Sequence, residues 1–354
     1  MTWPYVAPER ASRKTNRNLG VCTGLSRMNL SPDLIYYPDS HPGIRRKKRG
    51  RGFSYLAPDG TRIDQPEERA RIESLAVPPA YEDVWISPKP NGHLQATGRD
   101  VRKRKQYRYH PDWTEFQAAT KFDGLADFGE ALPRIRRHIF ADLKTDPGEQ
   151  AYAIAATLAL LDRTAIRIGT PEYADENGTF GATTLRSRHL SLDDEQIRLC
   201  YTGKGGKRIV RKIKDRTLNQ TLNRLQDLPG AELITWLDDD GRPRSVTSDA
   251  INAALRTITE CSTITAKTFR TWAGSTAAME AALSEPELTI AAMADAASTR
   301  LANTPTIARN SYIHPAVIDL KDTCLSDRQA ILSDAPEVPQ LKQGERALLQ
   351  LLRS

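Results

Sequence analysis

Residues 304–315 read TPTIARNSYIHP, and this stretch predicts a short helix with a tyrosine near its end. Thr304 suits the N-cap position, where its oxygen can accept a backbone N–H bond, and Pro305 suits the first helical position. Pro315 is predicted to end the helix. A tyrosine at position 312 is ordinary as a core residue, so its meaning depends on which other polar residues accompany it.

Three other stretches supply cations that suit a phenol acting on a phosphodiester. Residues 166–169 read IRIG, residues 202–207 read TGKGGK and residues 267–270 read KTFR. Because an unperturbed phenol has a pKa of about 10, Tyr312 needs a concentrated positive field to act as a nucleophile. The candidate sources of that field are Arg167, Lys204 and Arg270.

An arginine follows the most apolar of the predicted helices. Residues 149–165 are alanine-rich and apolar on most sides, and Arg167 comes directly after them. A buried guanidinium needs an anionic partner, which is commonly an internal carboxylate and can also be a phosphate. Gly169 could bring the backbone close to a ligand, with Tyr173 nearby.

Lys267 and Arg270 lie three residues apart near the start of a predicted helix, for which Thr265 is the expected cap. The helix dipole favours anions at that end, so two cations there are poorly placed for the helix and well placed for an external phosphate. Lys204 lies at the glycine-rich tip of a predicted hairpin. An exposed turn lysine is the ordinary interpretation, but a lysine in a groove could protonate a leaving oxygen.

The excess positive charge lies in the first third of the chain. The net charge is +7; residues 1–115 hold 21 Lys and Arg against 13 Asp and Glu, and residues 116–354 hold 30 against 31. Nucleic acid is the commonest partner for such a basic region, although a merely soluble basic surface remains open. Short apolar runs, a polar N-terminus and four scattered cysteines argue against membrane spans, secretion, disulfides and a zinc site. We expect a cytoplasmic protein.

The patterns predict an α+β fold in three parts. Residues 1–32 form a basic extension, residues 33–113 a small antiparallel β-sheet domain, and residues 114–354 a larger, mostly helical domain with one β-hairpin. Residues 58–60 are predicted to turn a hairpin in the sheet domain. A helix expected at residues 125–143 has three arginines away from its apolar stripe: Arg134, Arg136 and Arg137.

Residues 98–111, GRDVRKRKQYRYHP, mix cations with phenols and an amide. Cations can neutralise phosphates, while tyrosine and glutamine can reach sugars or base edges. Basic runs alone are usually solvated, but this mixture on a predicted strand favours a surface that faces a DNA groove. The candidate contacts are Lys103, Lys105, Gln106, Tyr107 and Tyr109.

Together these stretches resemble type IB DNA topoisomerases of the compact, poxvirus-like bacterial branch. The resemblance runs from about residue 36 to residue 320 and is carried by GRDVRKRKQYRY, IRIGTPEY, TGKGGK, ITAKTFRTW and NTPTIARNSYIHP. It implies an enzyme that relaxes supercoiled double-stranded DNA by a transient single-strand cut, with no ATP, metal or other cofactor. It also implies a monomer that clamps around the duplex.

The resemblance implies a role for each candidate residue. Tyr312 would form a 3′-phosphotyrosyl link, and Lys204 would protonate the departing 5′-oxygen. Arg167 and Arg270 would bind the non-bridging oxygens. Gly169, Tyr173 and Lys267 would join the DNA contacts of the basic segment.

Asn303 lies where the poxviral pattern has histidine and where bacterial members have asparagine. An amide can donate a hydrogen bond to a phosphate but cannot titrate near neutral pH. Ala308 and Arg309 replace the poxviral Ser-Lys before the tyrosine, so the resemblance does not carry over the poxviral sequence preference.

Three other functions stay open at this point. A tyrosine site-specific recombinase uses similar chemistry. However, a recombinase is expected to have a His-x-x-Arg box, where this chain has Lys267-x-x-Arg270, and a helical N-terminal domain, where this chain is predicted to have a β-sheet. A non-catalytic DNA-binding protein of the same fold is the second alternative, disfavoured by five chemically competent residues. A metal-dependent nuclease is the third.

Overall fold

The computed structural model describes residues 34–50, 52–193 and 196–354. The basic extension predicted at residues 1–32 lies outside the described residues. Within them, no helix has both the length and the apolar character needed to cross a bilayer.

The first part is a five-stranded antiparallel sheet with strand order β2-β1-β3-β4-β5. Helix α1 (Pro66–Ser74) contributes Ile72 to a small apolar core that the sheet also lines. Strands β1 to β4 contribute apolar side chains to that core, whereas most of β5 is exposed; the contributing residues are Ile44, Tyr55, Val84, Ile86 and Ala96. The strands are β1 (Ile44–Arg49), β2 (Gly52–Leu56), β3 (Glu82–Ile86), β4 (Leu94–Arg99) and β5 (Lys105–Tyr109).

The remainder is mostly helical, as the sequence predicted, and contains the expected hairpin. Its helices are α2 (Pro111–Ala119), α3 (Leu125–Asp142), α4 (Gln150–Thr164), α5 (Pro171–Asn177), α6 (Arg216–Gln226), α7 (Ser248–Thr259), α8 (Thr268–Ser284), α9 (Ile290–Leu301), α10 (Pro305–Tyr312), α11 (Pro315–Asp319), α12 (Leu325–Asp334) and α13 (Gln343–Arg353). Its strands are β6 (Leu190–Leu192), β7 (Ile197–Gly203), β8 (Lys207–Ile213), β9 (Thr235–Leu237) and β10 (Pro243–Ser245). The predicted α+β fold class is confirmed.

Helices α4 and α8 run through the core of the helical part. Alanine on most faces of α4 lets its neighbours pack closely on all sides, and Leu158, Leu160 and Leu161 are fully buried. Helix α4 ends at Thr164 and is followed by the C-cap residue Ala165, whose φ of 51° is left-handed; the chain then leaves the core towards Arg167. The end of the buried helix therefore fixes where that arginine emerges.

Two predictions about helix ends were wrong. Pro315 begins α11 rather than ending α10, because its missing N–H suits a first helical position; α10 already ends at Tyr312. Thr265 does not cap α8: Lys267 occupies the N-cap position with no side-chain cap bond, and the Thr265 backbone N–H donates to Thr268 Oγ1 at 3.1 Å. The predicted cap of α10 is confirmed, since Thr304 accepts a bond from the Ile307 N–H.

The structure adds detail to two predictions about polar segments. The Arg136 side chain is only 9% exposed, because it forms ion pairs with Asp162 at 2.9 Å and Glu345 at 2.8 Å that helical periodicity does not reveal. In the sheet part, residues 58–60 form the predicted turn: the Ala57 N–H donates to the Thr61 carbonyl at 2.8 Å, and Leu56 and Arg62 form an isolated antiparallel bridge across it. Strands β1 and β2 form a further hairpin, which the sequence did not predict.

Candidate active site

The backbone around Tyr312 is held against helix α8. Ser275 Oγ donates a hydrogen bond to the Tyr312 carbonyl at 3.0 Å and accepts one from the His314 N–H at 3.0 Å. Gly274 permits this close approach, since a Cβ there would lie 2.8 Å from the Tyr312 carbonyl oxygen and 2.9 Å from its Cβ. The position of the tyrosine is thus set by a small residue and a hydroxyl on another helix.

Arg270 lies beside the Tyr312 ring. Its Cζ is 5.0 Å from the ring centroid, and the residue is only 4% exposed. Its guanidinium donates to the Ala165 carbonyl and, at 3.3 Å, to the Leu301 carbonyl. These partners are neutral oxygens, and Arg270 Nε is buried with no hydrogen-bond partner among the described residues.

Asn303 connects the two predicted arginines. Its Oδ1 accepts from Arg167 Nη2 at 2.9 Å and from Arg270 Nη2 at 3.4 Å. Its Nδ2 is buried without a partner in the described part of the chain. A buried donor left unsatisfied costs about 1–3 kcal/mol, so two such donors in one cationic cluster suit an anion that is bound from outside.

The segment that carries Arg167 is clamped by backbone contacts. The Ala182 N–H donates to the Arg167 carbonyl at 2.8 Å. Gly169 has a φ of 85°, and a Cβ on it would lie 2.9 Å from Gly181 Cα. An intramolecular contact therefore already accounts for glycine at position 169.

The β7–β8 hairpin carries Lys204 at its exposed tip, within residues 204–206. Lys204 lines a small cavity together with Arg167, Tyr201 and Arg270. Gly205 at the tip has a φ of 81°, which glycine adopts without strain. The hairpin thus brings the lysine next to the arginine pair.

Polar contacts hold the hairpin against the end of α9. Arg211 Nη1 donates to the Thr299 carbonyl at 3.0 Å and Nη2 donates to the Arg300 carbonyl at 2.6 Å. Lys207 Nζ lies 3.5 Å from the Asn303 carbonyl oxygen. The hairpin and Asn303 are therefore neighbours, although Lys207 and Asn303 are 96 residues apart along the chain.

The positive field lowers the pKa of Tyr312. Burial raises the pKa of this phenol, but the charge of Arg270, followed by Arg167 and Lys267, more than offsets burial, so the pKa lies below its ordinary value of 10. Burial and the neighbouring Arg167 in turn lower the pKa of Arg270. The exposed Lys267 at the start of α8 thus acts on Tyr312 through its charge.

The predicted tyrosine contacts form an open surface on β5. Tyr107 and Tyr109 are 47% and 43% exposed, and their rings stack with centroids 6.2 Å apart. Tyr173 on α5 is 53% exposed. Arg99 Nη1 and Glu176 Oε2 are 3.9 Å apart, which puts α5 beside the sheet.

The other predicted contacts on this segment already have partners within the chain. Lys105 Nζ pairs with Asp39 at 2.6 Å, and Lys103 pairs with Glu82. Gln106 Nε2 donates to Asp100 at 3.0 Å. DNA would therefore compete with carboxylates for these three side chains.

Sequence reasoning missed several residues around the tyrosine. Gly274 and Ser275 fix its backbone, and Lys121 Nζ donates to the Asn310 carbonyl at 2.6 Å, two residues before Tyr312. Tyr201 lines the same cavity as the arginines. No spacing or composition signal marks these positions, because each acts through a contact between segments distant in sequence.

Two family matches cover most of the chain. Residues 52–100 match the bacterial DNA topoisomerase IB, N-terminal domain. Residues 110–309, more than half of the chain, match the eukaryotic DNA topoisomerase I, catalytic core. The second match includes Arg167, Lys204, Arg270 and Asn303 and ends three residues before Tyr312.

Individual relatives agree with these matches. The DNA topoisomerase 1B of Acanthamoeba polyphaga mimivirus is 29% identical over 255 residues, which are 70% of this chain and 76% of the viral protein. The DNA topoisomerase 1B of vaccinia virus (strain Copenhagen) is 25% identical over 124 residues, 35% of this chain and 39% of the viral protein. With a matching sheet domain, a matching catalytic core and these relatives, the chain belongs to the type IB DNA topoisomerase family.

Proposed function

We propose that this enzyme relaxes supercoiled double-stranded DNA by cutting one strand through Tyr312 and then rejoining it. The observation that carries the proposal is that Asn303 joins Arg167 to Arg270, which lies beside the Tyr312 ring, and that two buried N–H donors of this cluster have no partner among the described residues. A DNA phosphate supplies the oxygens that these donors lack.

The reaction we propose is an exchange of one phosphodiester for another. Tyr312 Oη gives up its proton to solvent, attacks phosphorus and forms the P–Oη bond as the P–O5′ bond breaks. Lys204 donates a proton to the departing 5′-oxygen, which leaves a 5′-hydroxyl and a 3′-phosphotyrosine. After the cut strand swivels, the 5′-hydroxyl returns its proton to Lys204 and attacks the same phosphorus, and Tyr312 leaves as a phenolate that regains its proton from solvent.

The cations give this exchange its charge stabilisation. The five-coordinate phosphorus carries extra negative charge on its non-bridging oxygens, and Arg167, Arg270 and the Asn303 amide are the donors that we assign to them. Preorganised donors of this kind are each worth about 10²–10³ in rate. Because the phosphodiester bond energy is kept in the phosphotyrosine, the proposed cycle uses no ATP. Because Arg167 and Arg270 are assigned the charge stabilisation, the proposed cycle uses no metal ion.

We further propose that the two parts of the chain, residues 33–113 and 114–354, close as a monomeric clamp on the duplex. The open phenols of Tyr107 and Tyr109 lie on the sheet, and Tyr173 lies on the helical part close to the sheet. The phenols would meet DNA directly, together with Lys267 and the backbone at Gly169. Lys103, Lys105 and Gln106 would exchange carboxylate partners for phosphate or base edges.

A plasmid relaxation assay tests the proposal. The purified enzyme should relax positively and negatively supercoiled plasmid in EDTA without ATP. The matched control is Tyr312→Phe, which should bind DNA and relax neither form. If folded wild-type protein bound DNA and relaxed nothing, the non-catalytic alternative would replace this proposal; strand exchange between two duplexes would favour a recombinase.

A further inference from the structure

We propose that Lys121 is a positioning residue for Tyr312, and that it ties the nucleophile to the segment that follows the sheet. The inference rests on the proposed function, because it assigns a device that orients the Tyr312 phenol. It concerns a residue outside the cluster of Arg167, Arg270 and Asn303.

The first contact is at the C-terminal end of helix α10. Lys121 Nζ donates to the Asn310 carbonyl at 2.6 Å, two residues before Tyr312. Carbonyls in the last turn of a helix have no partner within the helix, and a cation is favourable at this negative end of the dipole. The lysine therefore holds the turn from which the Tyr312 side chain projects.

The second contact lies just beyond the tyrosine. The Phe122 ring meets the His314 ring edge-to-face, with centroids 5.1 Å apart and planes at 67°. The His314 N–H is itself bonded to Ser275 Oγ. Adjacent residues thus grip the chain on both sides of Tyr312, which is the arrangement expected of a positioning device rather than of a surface lysine.

Lys121 also lies close in sequence to the sheet that carries the exposed tyrosines. Strand β5, with Tyr107 and Tyr109, leads through helix α2 directly to the turn at Thr120–Phe122. A displacement of β5 by bound DNA would therefore reach Asn310 and His314 through one short helix. Burial, followed by the nearby charge of Lys267, lowers the pKa of Lys121, so this cation is held here against an electrostatic penalty.

Single-turnover cleavage of a suicide duplex is the test. Lys121→Met should slow covalent adduct formation about 10- to 100-fold, the range expected for a misplaced reacting group. Lys121→Arg, which keeps a donor for the Asn310 carbonyl, should recover most of the rate. Equilibrium binding of the uncleaved duplex, measured for each change in a Tyr312→Phe background, should not move.

The matched control is Lys144→Met. Lys144 Nζ lies 4.3 Å from the Phe140 ring centroid, as Lys121 Nζ lies 5.3 Å from Phe122, but at the end of α3 and away from the tyrosine. This variant should cleave at the wild-type rate. Phe122→Leu removes the ring contact with His314 while keeping every charge, and it should slow cleavage in the same way as Lys121→Met.

A duplex with a 5′-bridging sulfur separates this role from that of the general acid. A thiolate leaves without a proton, so the substrate should rescue Lys204→Ala but leave Lys121→Met slow. Rescue of Lys121→Met by sulfur, or wild-type cleavage by both Lys121→Met and Phe122→Leu, would overturn the inference. A wild-type enzyme that formed no adduct would instead reject the proposed function.

Discussion

Asn303 presents one amide oxygen to two arginines, and its buried NH₂ group, which has no partner among the described residues, is the donor that we propose for a phosphate oxygen. A role in anion binding could be inferred for the candidate arginines from the sequence, because a guanidinium away from solvent needs an anionic partner. The shared contact at Asn303 could not, because 136 residues separate it from Arg167. A hydrogen bond between residues far apart in sequence does not produce a periodic sequence pattern.

Replacing Asn303 with aspartate tests that connection. Asn303→Asp removes the N–H donor and places a negative charge where the phosphate would bind, so single-turnover cleavage should fall at least about 100-fold. Asn223→Asp, on the exposed face of α6, makes the same chemical change away from the site and should leave the rate unaltered. Equal rates for Asn303→Asp and wild type would remove Asn303 from the proposed chemistry.

Lys267 is predicted to act through the titration of Tyr312. Its positive charge helps to hold the phenol pKa below its ordinary value, so Lys267→Met should raise that pKa and move the rise of cleavage rate to higher pH. The ¹³Cζ resonance of labelled Tyr312, followed against pH in wild-type and variant enzyme, measures the shift. Lys144→Met serves as the control, and an unchanged or lower pKa in Lys267→Met would contradict the assignment.

At the scale of elements, pattern and propensity identified α4, α8, α10 and the β7–β8 hairpin. Their apolar spacing, the cap at Thr304 and the glycines of the tip are local features that the sequence displays. The helix ends were harder to predict, because a proline can either follow a helix or begin one, and Pro315 begins α11. The contacts between elements could not be inferred from the sequence. The clearest case is the contact of Gly274 and Ser275 on α8 with the chain at Tyr312 and His314.

Gly274 allows helix α8 and the backbone at Tyr312 to approach each other closely. In Gly274→Ala the new methyl would overlap the Tyr312 backbone at 2.8 Å and Leu301 Cδ1 at 3.0 Å, so the tyrosine segment must shift. Cleavage should slow by about 100-fold, while DNA affinity changes little. Gly52→Ala adds a methyl that meets no atom within 4 Å and should leave cleavage unchanged. An unaffected Gly274→Ala would show that the phenol tolerates displacement.

At the scale of the whole molecule, helix α13 is tied to the catalytic core by buried charge. Glu345 pairs with Arg136 at 2.8 Å and accepts a bond from Trp272 Nε1 at 3.3 Å. The sequence predicted only that Arg136 lies away from the apolar stripe of α3, and it gave no sign of these partners. The low exposure of Arg136 could not be predicted, because it depends on contacts with Asp162 and Glu345, which lie in two other helices.

That network should contribute measurably to the stability of the helical part. Glu345→Gln leaves a buried guanidinium short of one partner and should lower the free energy of unfolding by about 3–5 kcal/mol. Glu130→Gln breaks the pair with Arg353, which also links α3 to α13 but is half exposed, and should cost at most about 1 kcal/mol. Urea unfolding of both variants gives the comparison, and similar losses would contradict the ranking.

We propose that Tyr312 becomes joined to the 3′ end of a cut strand, and this can be tested by mapping the covalent adduct. Wild-type enzyme is incubated in EDTA with a suicide duplex, digested with protease, and the nucleotide-bearing peptide is sequenced by mass spectrometry. We predict one peptide, with a 3′-phosphate esterified to Tyr312. An adduct at another residue, or a link to a 5′-phosphate, would contradict the account.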